Sequence, residues 1–205
     1  MTKPKAVIYD NDGMLMHGGR FSEQYSREFG VDLAVMSRFF ETSFKLCLIG
    51  KADLREELAK VLEDWEWKGT ADELMRYWFS IGDTLYEDTH ASVGKLKEQG
   101  VVVCLATNQE KYRLQYLTKK FSYDSLFDEI FSSSELGALK HSEEGLEKIS
   151  RKLKEAHSIA DRGEVMYWDD RESQIKNLGE GGFNAQLYTD YPAFRKTLEE
   201  YGLRL

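Results

Sequence analysis

The chain is predicted to fold as an α/β protein, a doubly wound parallel sheet carrying an inserted all-helical subdomain. Three observations predict it. Short, nearly continuous apolar runs at 6–9, 101–106, 129–132, 165–168 and 186–188 read as buried strands. Helical spacing lies between the later runs, as in Leu146, Ile149 and Leu153 of GLEKISRKLKEA. Strands without a polar face, alternating with amphipathic helices, indicate a parallel sheet covered on both sides. The third observation is a gap, because the first strand ends at Asp10 and the next begins only at Val101.

A single crossover needs far less chain than that gap. The interval carries helical patterns at 21–29, 33–44, 54–65 and 71–81, separated by Gly30, Gly50 and Gly69. A further helix at 90–99 stops at Gly100 in the manner of a helix terminus and leads back into the sheet. Residues 16–85 are therefore assigned to the helical insertion, and residues 1–15 and 86–205 to the core. Only two prolines occur and no repeat or low-complexity stretch, so no linker marks the insertion's edges.

Composition narrows the class. The 205 residues are 41% apolar and 13% aromatic, enough for a globular core of one domain with a smaller one inserted. No run approaches the ~20 apolar residues of a membrane span. The sequence enters its first strand at once after MTKPK, with no signal-peptide pattern, so a cytoplasmic location and no membrane partner are expected. Cys47 and Cys104 sit in apolar surroundings and read as small packed hydrophobes, not a disulfide framework. The net charge is −8, with lysines and arginines scattered among carboxylates, which argues against nucleic acid as a partner. An acidic chain that binds an anion must do so with a few focused donors in a small pocket.

Ligands of open parallel sheets bind just beyond the carboxyl ends of the strands. That edge gathers Asp10-Asn11-Asp12-Gly13 after the first strand and Thr107-Asn108-Gln109 after the second. Lys140 follows the third strand, across Gly137, and Asp169-Asp170 follow the fourth. Asp10 and Asp12, at i and i+2 where a strand leaves the sheet, can reach one ligand, and Gly13 permits a sharp turn. Adjacent carboxylates repel and raise one another's pKa. A hard divalent cation, which takes oxygen ligands, removes that penalty. Asp169-Asp170 at the end of the buried VMYW run call for the same compensation. Thr107 offers a hydroxyl, and amides beyond a strand end can point at an anion. Singly, Thr107 and Lys140 are ordinary; their convergence is what singles them out.

In order and spacing these segments resemble the four motifs of the haloacid dehalogenase-like superfamily: Asp10-Asn11-Asp12-Gly13 the first, VVVCLATNQ the second, Lys140 the third and YWDDRESQI the fourth. The insertion is similar to the family's helical cap on a Rossmann-like core. The resemblance implies that Asp10 attacks phosphorus to form an aspartyl-phosphate, and that Asp12 serves as general acid and then general base. It implies that Thr107, the amide of Asn108 and Lys140 hold the phosphoryl oxygens. It also implies Mg2+ bound by Asp10, the backbone carbonyl of Asp12 and Asp169, with Asp170 orienting a metal-bound water or Lys140. Members that displace halide typically lack the second aspartate, whereas phosphatases and phosphomutases have it, so Asp12 points to phosphoryl transfer. IGKADLREELAKVL is similar to cap helices of the sugar-phosphate phosphatase branch, which implies a small phosphorylated metabolite as substrate. A phosphomutase, or a catalytically silent binding protein of the same fold, stays open. The chain departs from the family pattern at Met14, where a small or branched residue is usual, at His141, where proline is common, and at Gln174, where asparagine is frequent.

Other residues carry weaker expectations. Lys51, after Gly50, is a candidate substrate contact from the insertion. His17, within HGGR, reads as a turn near the pocket mouth; His90, His157 and Arg113 read as helix-surface residues. Aromatics of the insertion, among them Phe39, Phe40, Phe44, Trp65, Trp67, Tyr77, Trp78 and Phe79, should fill its interior, with one or two facing the substrate. Oligomeric state is not legible in the sequence.

Overall fold

The computed structural model describes residues 1–205. Five parallel strands form one sheet in the order β3-β2-β1-β4-β5. They are β1 (Ala6–Tyr9), β2 (Val102–Thr107), β3 (Glu129–Ser132), β4 (Val165–Asp169) and β5 (Asn184–Leu187). The first four expected strands, three inner ones and the edge strand β3, lie within a residue of their apolar runs. The last was expected at 186–188 and lies earlier, paired from Asn184 opposite Met166 to Leu187 opposite Asp169. It is a half-buried edge strand, so its sequence lacks the continuous apolar signal of the inner strands.

Strand alternation sends side chains to two separate cores. Val7, Tyr9, Val103, Leu105, Met166 and Trp168 enter one cluster of 19 buried residues. Ala6, Ile8, Cys104, Ala106, Val165 and Tyr167 enter another of 14 on the opposite face. Both cysteines are buried and unpaired.

Between β1 and β2 the chain forms α1 (Phe21–Phe29), α2 (Leu33–Glu41), α3 (Ser43–Leu48), α4 (Leu54–Ala59) and α5 (Ala71–Phe79). These share a third core of 15 buried residues, from Phe21 to Ile81, with Trp65 fully enclosed. The single helix expected at 33–44 is two. Thr42 leaves helical geometry at φ −119° and ψ −89°, and its hydroxyl bonds back to the Arg38 carbonyl, a competition with the helix backbone that bends or ends it. The helix expected at 54–65 stops at Ala59; the chain then turns so that Trp65 packs inward, its carbonyl accepting from Tyr25 Oη at 2.8 Å. Thr70 and Glu73 form a reciprocal capping box that starts α5.

The remaining helices are α6 (Glu87–Glu98), α7 (Lys111–Phe121), α8 (Tyr123–Leu126), α9 (Ser133–Leu136), α10 (Glu143–His157), α11 (Glu172–Glu180) and α12 (Tyr191–Glu200). Helix α6 begins earlier than the expected 90–99, because its first turn is polar. His90 and His157 are half-buried, not on the surface, and His157 lies 3.5 Å from Glu129.

Helix α7 joins the helical layer to the sheet layer. Asp53, at the start of α4, accepts from Lys111 Nζ at 2.6 Å and Tyr112 Oη at 2.8 Å. Asp83 accepts from Tyr116 Oη and Lys120 Nζ. Tyr112, Tyr116 and Lys120 are spaced by four residues and so lie along one face of the helix. No helix is long and apolar enough to cross a membrane.

Candidate active site

The carboxyl end of β1 lies where strand order reverses, between β2 on one side and β4 on the other, the crevice in which such sheets bind ligands. The apolar strand delivers Asp10 into it, and the next six residues form a tight loop held by Asn11. The Asn11 carbonyl accepts from the amides of Leu15 (2.9 Å) and Met16 (3.0 Å), and its side-chain oxygen accepts from Tyr123 Oη at 2.8 Å. Gly13 has φ +86°, and a Cβ there would stand 2.2 Å from Asp170 Oδ2. Only glycine lets the β1 loop and the β4 loop approach so closely. Met14 is fully buried in the core, which accounts for a large apolar side chain at that place.

The four loops converge as expected from the sheet edge. Lys140 Nζ lies 2.6 Å from Asp10 Oδ1 and 2.8 Å from Asp169 Oδ2. The Lys140 amide donates to Asn108 Oδ1 at 2.9 Å, tying the third loop to the second. Thr107 is buried, and its hydroxyl has no partner. These residues line a cavity of about 80 Å3, shared with Asp12, His141, Arg171 and Gln174, and no apolar side chain faces it. A buried hydroxyl is rarely left without a hydrogen bond, and an anion in this cavity would supply one.

Burial pushes the Asp10 carboxyl up to about 7, against the downward pull of Lys140. Burial disfavours the Lys140 ammonium, but Asp10, the neighbouring Tyr167 and Asp169 outweigh it and hold its pKa well above an ordinary lysine's. Desolvation, then the Asp169 charge, raises the Asp170 carboxyl. Oxygens of Asp10, Asp169 and Asp170 lie within 4.8 Å of one another. This all-oxygen set fits a hard cation such as Mg2+, whose charge would relieve the repulsion between them.

Asp12 behaves differently. Its carboxylate turns toward α7, where Arg113 Nη2 donates to Oδ1 at 3.0 Å and Gln109 Nε2 engages Oδ2. Arg113 is therefore not the surface residue expected; only 8% of it is exposed, and its Nε has no partner. Gln109 was visible in the second cluster but carried no expected role. Arg113 left one physical trace in the sequence, since a cation in the first turn of a helix opposes the helix dipole. Lys51 does not join either cavity at the sheet edge. The Gly50 turn, at φ +68°, sits so close to α9 that a Cβ would meet the Ser134 carbonyl at 2.5 Å. That contact directs Lys51 into a separate hollow beside Asp53 and Lys111.

The small cavity adjoins a larger one of about 650 Å3 that shares Asp12, Asn108 and Arg171 with it. The larger cavity reaches the helical layer through Phe21, Phe40, Phe44 and Trp78. His17 is exposed, as a turn residue would be, but its ring packs on Tyr86 (centroids 3.9 Å apart) and it borders this cavity.

Comparison with known proteins agrees with this fold. The family model of haloacid dehalogenase-like hydrolases matches residues 4–178. A haloacid dehalogenase family enzyme of Bacteroides thetaiotaomicron superposes with a TM-score of 0.78 at 18% identity, covering 94% of this chain and 98% of its own. An aspartate-to-alanine variant of that enzyme, solved with magnesium and inorganic phosphate, gives 0.76 at 19% identity, covering 93% and 98%. The L-2-haloacid dehalogenase of Xanthobacter autotrophicus gives 0.63 at 17% identity, covering 96% and 83%. No curated protein matches the sequence. At such identities the structural likenesses are likenesses of fold.

Proposed function

The chain belongs to the haloacid dehalogenase-like hydrolases, and on that premise we propose that it is a magnesium-dependent phosphatase. Its substrate is a small phosphorylated metabolite, hydrolysed through an aspartyl-phosphate on Asp10. One observation carries the reading. Asp10, Lys140 and the unpartnered Thr107 hydroxyl face an 80 Å3 cavity without a single apolar lining residue. A phosphoryl group suits such a cavity, whereas the carbon skeleton of a haloalkanoate would find no apolar contact there. Magnesium also stands in the solved complex of the Bacteroides relative with inorganic phosphate.

In this mechanism Asp10 attacks phosphorus, a phosphorus–oxygen bond to Asp10 forms and the bond to the leaving group breaks. Lys140 and the Asn11 amide (2.6 Å) both bond Oδ1, so Oδ2 is the oxygen left for attack. Lys140, the Thr107 hydroxyl and the Asn108 amide stabilise the charge that builds on the phosphoryl oxygens. Asp12 gives its proton to the departing alkoxide. It then takes one from the water that attacks phosphorus, which restores Asp10 and releases inorganic phosphate. Asp10, Asp169 and the Asp12 carbonyl would hold magnesium, with Asp170 in support, and the cation would supply charge neutralisation for the phosphoryl oxygens. The helical layer, residues 16–85, acts as a cap that covers the leaving group and limits it to small molecules.

The test is phosphate release from a panel of phosphate monoesters, with and without magnesium. Magnesium-dependent release supports the proposal. Interconversion of phosphate isomers without release would replace it with a phosphomutase, and no turnover of any ester by folded protein would leave a binding protein.

A further inference from the structure

The larger cavity has two unlike walls. Its sheet-side wall carries Asp12, Gln109 and Arg113, while every apolar side chain that lines it comes from the helical layer and is aromatic. No aliphatic residue contributes. Phe21 and Trp78 are anchored, only 4% and 5% exposed, and their rings stack with centroids 4.6 Å apart at 22°. Phe40 and Phe44 are only partly buried. They are held against this base by edge contacts, Phe40 to Trp78 at 5.5 Å and 83°, and Phe40 to Phe44 at 5.4 Å and 76°. A core that needed only to be filled would enclose both rings. Leaving two phenyl groups part-exposed beside a polar wall forgoes hydrophobic stabilisation, and ring faces so placed can accept another ring by stacking or edge contact.

We propose that this wall is a subsite for a flat ring, so that the leaving group is an aromatic or heteroaromatic alcohol. This rests on the phosphatase reading of the adjoining small cavity. Phosphate enters at Asp10 and the ring lies against Phe40 and Phe44, each half of the substrate in the cavity whose chemistry suits it. The preference runs against the sugar phosphate that the cap resemblance implied, because the phenyl rings of Phe40 and Phe44 offer hydroxyls no hydrogen bond; the polar side chains of the helical layer, His17, Arg20, Ser22 and Glu23, border the same cavity.

Benzyl phosphate and cyclohexylmethyl phosphate test the subsite directly. Both lose a primary alkoxide, so they differ in the ring and little in intrinsic reactivity. The expected kcat/KM favours benzyl by roughly three- to tenfold, the strength of an aromatic pair beyond its buried area, and hexose 6-phosphate is slower than benzyl phosphate. In Phe40→Leu and Phe44→Leu, which keep apolar bulk, the benzyl preference falls toward unity. Thermal melts establish that these variants are folded. A ratio of one in the native protein, an unchanged ratio in folded leucine variants, or a faster hexose phosphate would each overturn the proposal. Binding of benzylphosphonate and cyclohexylmethylphosphonate, followed by tryptophan fluorescence, separates the two readings. Tighter benzyl binding with no hydrolysis of any ester refutes the reaction and upholds the subsite. Equal binding refutes the subsite whatever the reaction.

Discussion

Arg113 and Asp12 lie 101 residues apart in sequence, and the guanidinium donates to the carboxylate at 3.0 Å. With Gln109 on the other oxygen, both ends of the Asp12 carboxylate are fixed from the start of α7. In the proposed reaction Asp12 must place a proton on the leaving oxygen, and small errors in such placement are costly. Arg113→Met is expected to lower kcat about ten- to hundredfold with KM little changed, and Arg113→Lys to restore part of the loss. The decisive measurement is a double-mutant cycle. If the residue acts through Asp12, Arg113→Met costs nothing further in an Asp12→Asn background, whereas a general loosening of the fold would lower both backgrounds alike.

Asp10→Asn is expected to reduce phosphate release by at least roughly a thousandfold, since the amide is no nucleophile. The fold should persist, because the substitution conserves volume and Lys140 keeps Asp169 at 2.8 Å. Melting temperature and activity measured on the same preparation check both halves; activity near that of the native protein would exclude Asp10 as the nucleophile.

Much of this arrangement is legible in the sequence. Buried parallel strands write continuous apolar runs, and residues at their carboxyl ends must share one edge, so Asp10, Thr107, Lys140 and Asp169 could be placed together from spacing alone. What escaped was set by tertiary contact. The seat of Lys51 depends on Gly50 packing against Ser134, and the pairing of Arg113 depends on where Asp12 turns once Asn11 has fixed its loop. The first has no local pattern, and the trace that Arg113 left, a cation in the first turn of α7, does not name its partner. The break at Thr42 was likewise hidden, because the aromatic periodicity of 33–44 carries on across it.

Gly13 is a point of close approach between the first and fourth loops. In Gly13→Ala a methyl group would collide with Asp170 Oδ2, at 2.2 Å, on a backbone with φ +86° that alanine adopts only under strain. Unfolding free energy should fall by about 1–3 kcal/mol. Displacement of Asp170 should also weaken magnesium binding, measured by calorimetric titration of the cation alone. Unchanged stability together with unchanged affinity would mean that the two loops do not meet as described.

Glu110 links stability to pH. It caps α7, its two oxygens accepting from the amides of Tyr112 and Arg113. Burial nevertheless outweighs those bonds and the Arg113 charge, and pushes its carboxyl from 4.5 up to about 7. The folded pKa is the higher one, so the folded protein keeps a proton that the unfolded chain releases. This stabilisation is complete below pH 4.5 and is lost as pH rises through about 7. The loss is on the order of 3 kcal/mol. Glu110→Gln carries no titrating group, and chemical denaturation of both proteins across this range isolates the effect. Asp10 titrates in the same direction in both proteins and cancels in the difference. The stability of the native protein minus that of the variant should therefore decline between pH 4.5 and about 7 and level off on either side. A difference that is flat throughout would mean that Glu110 keeps its ordinary carboxylate pKa in the fold, with the two amides and Arg113 just offsetting its burial.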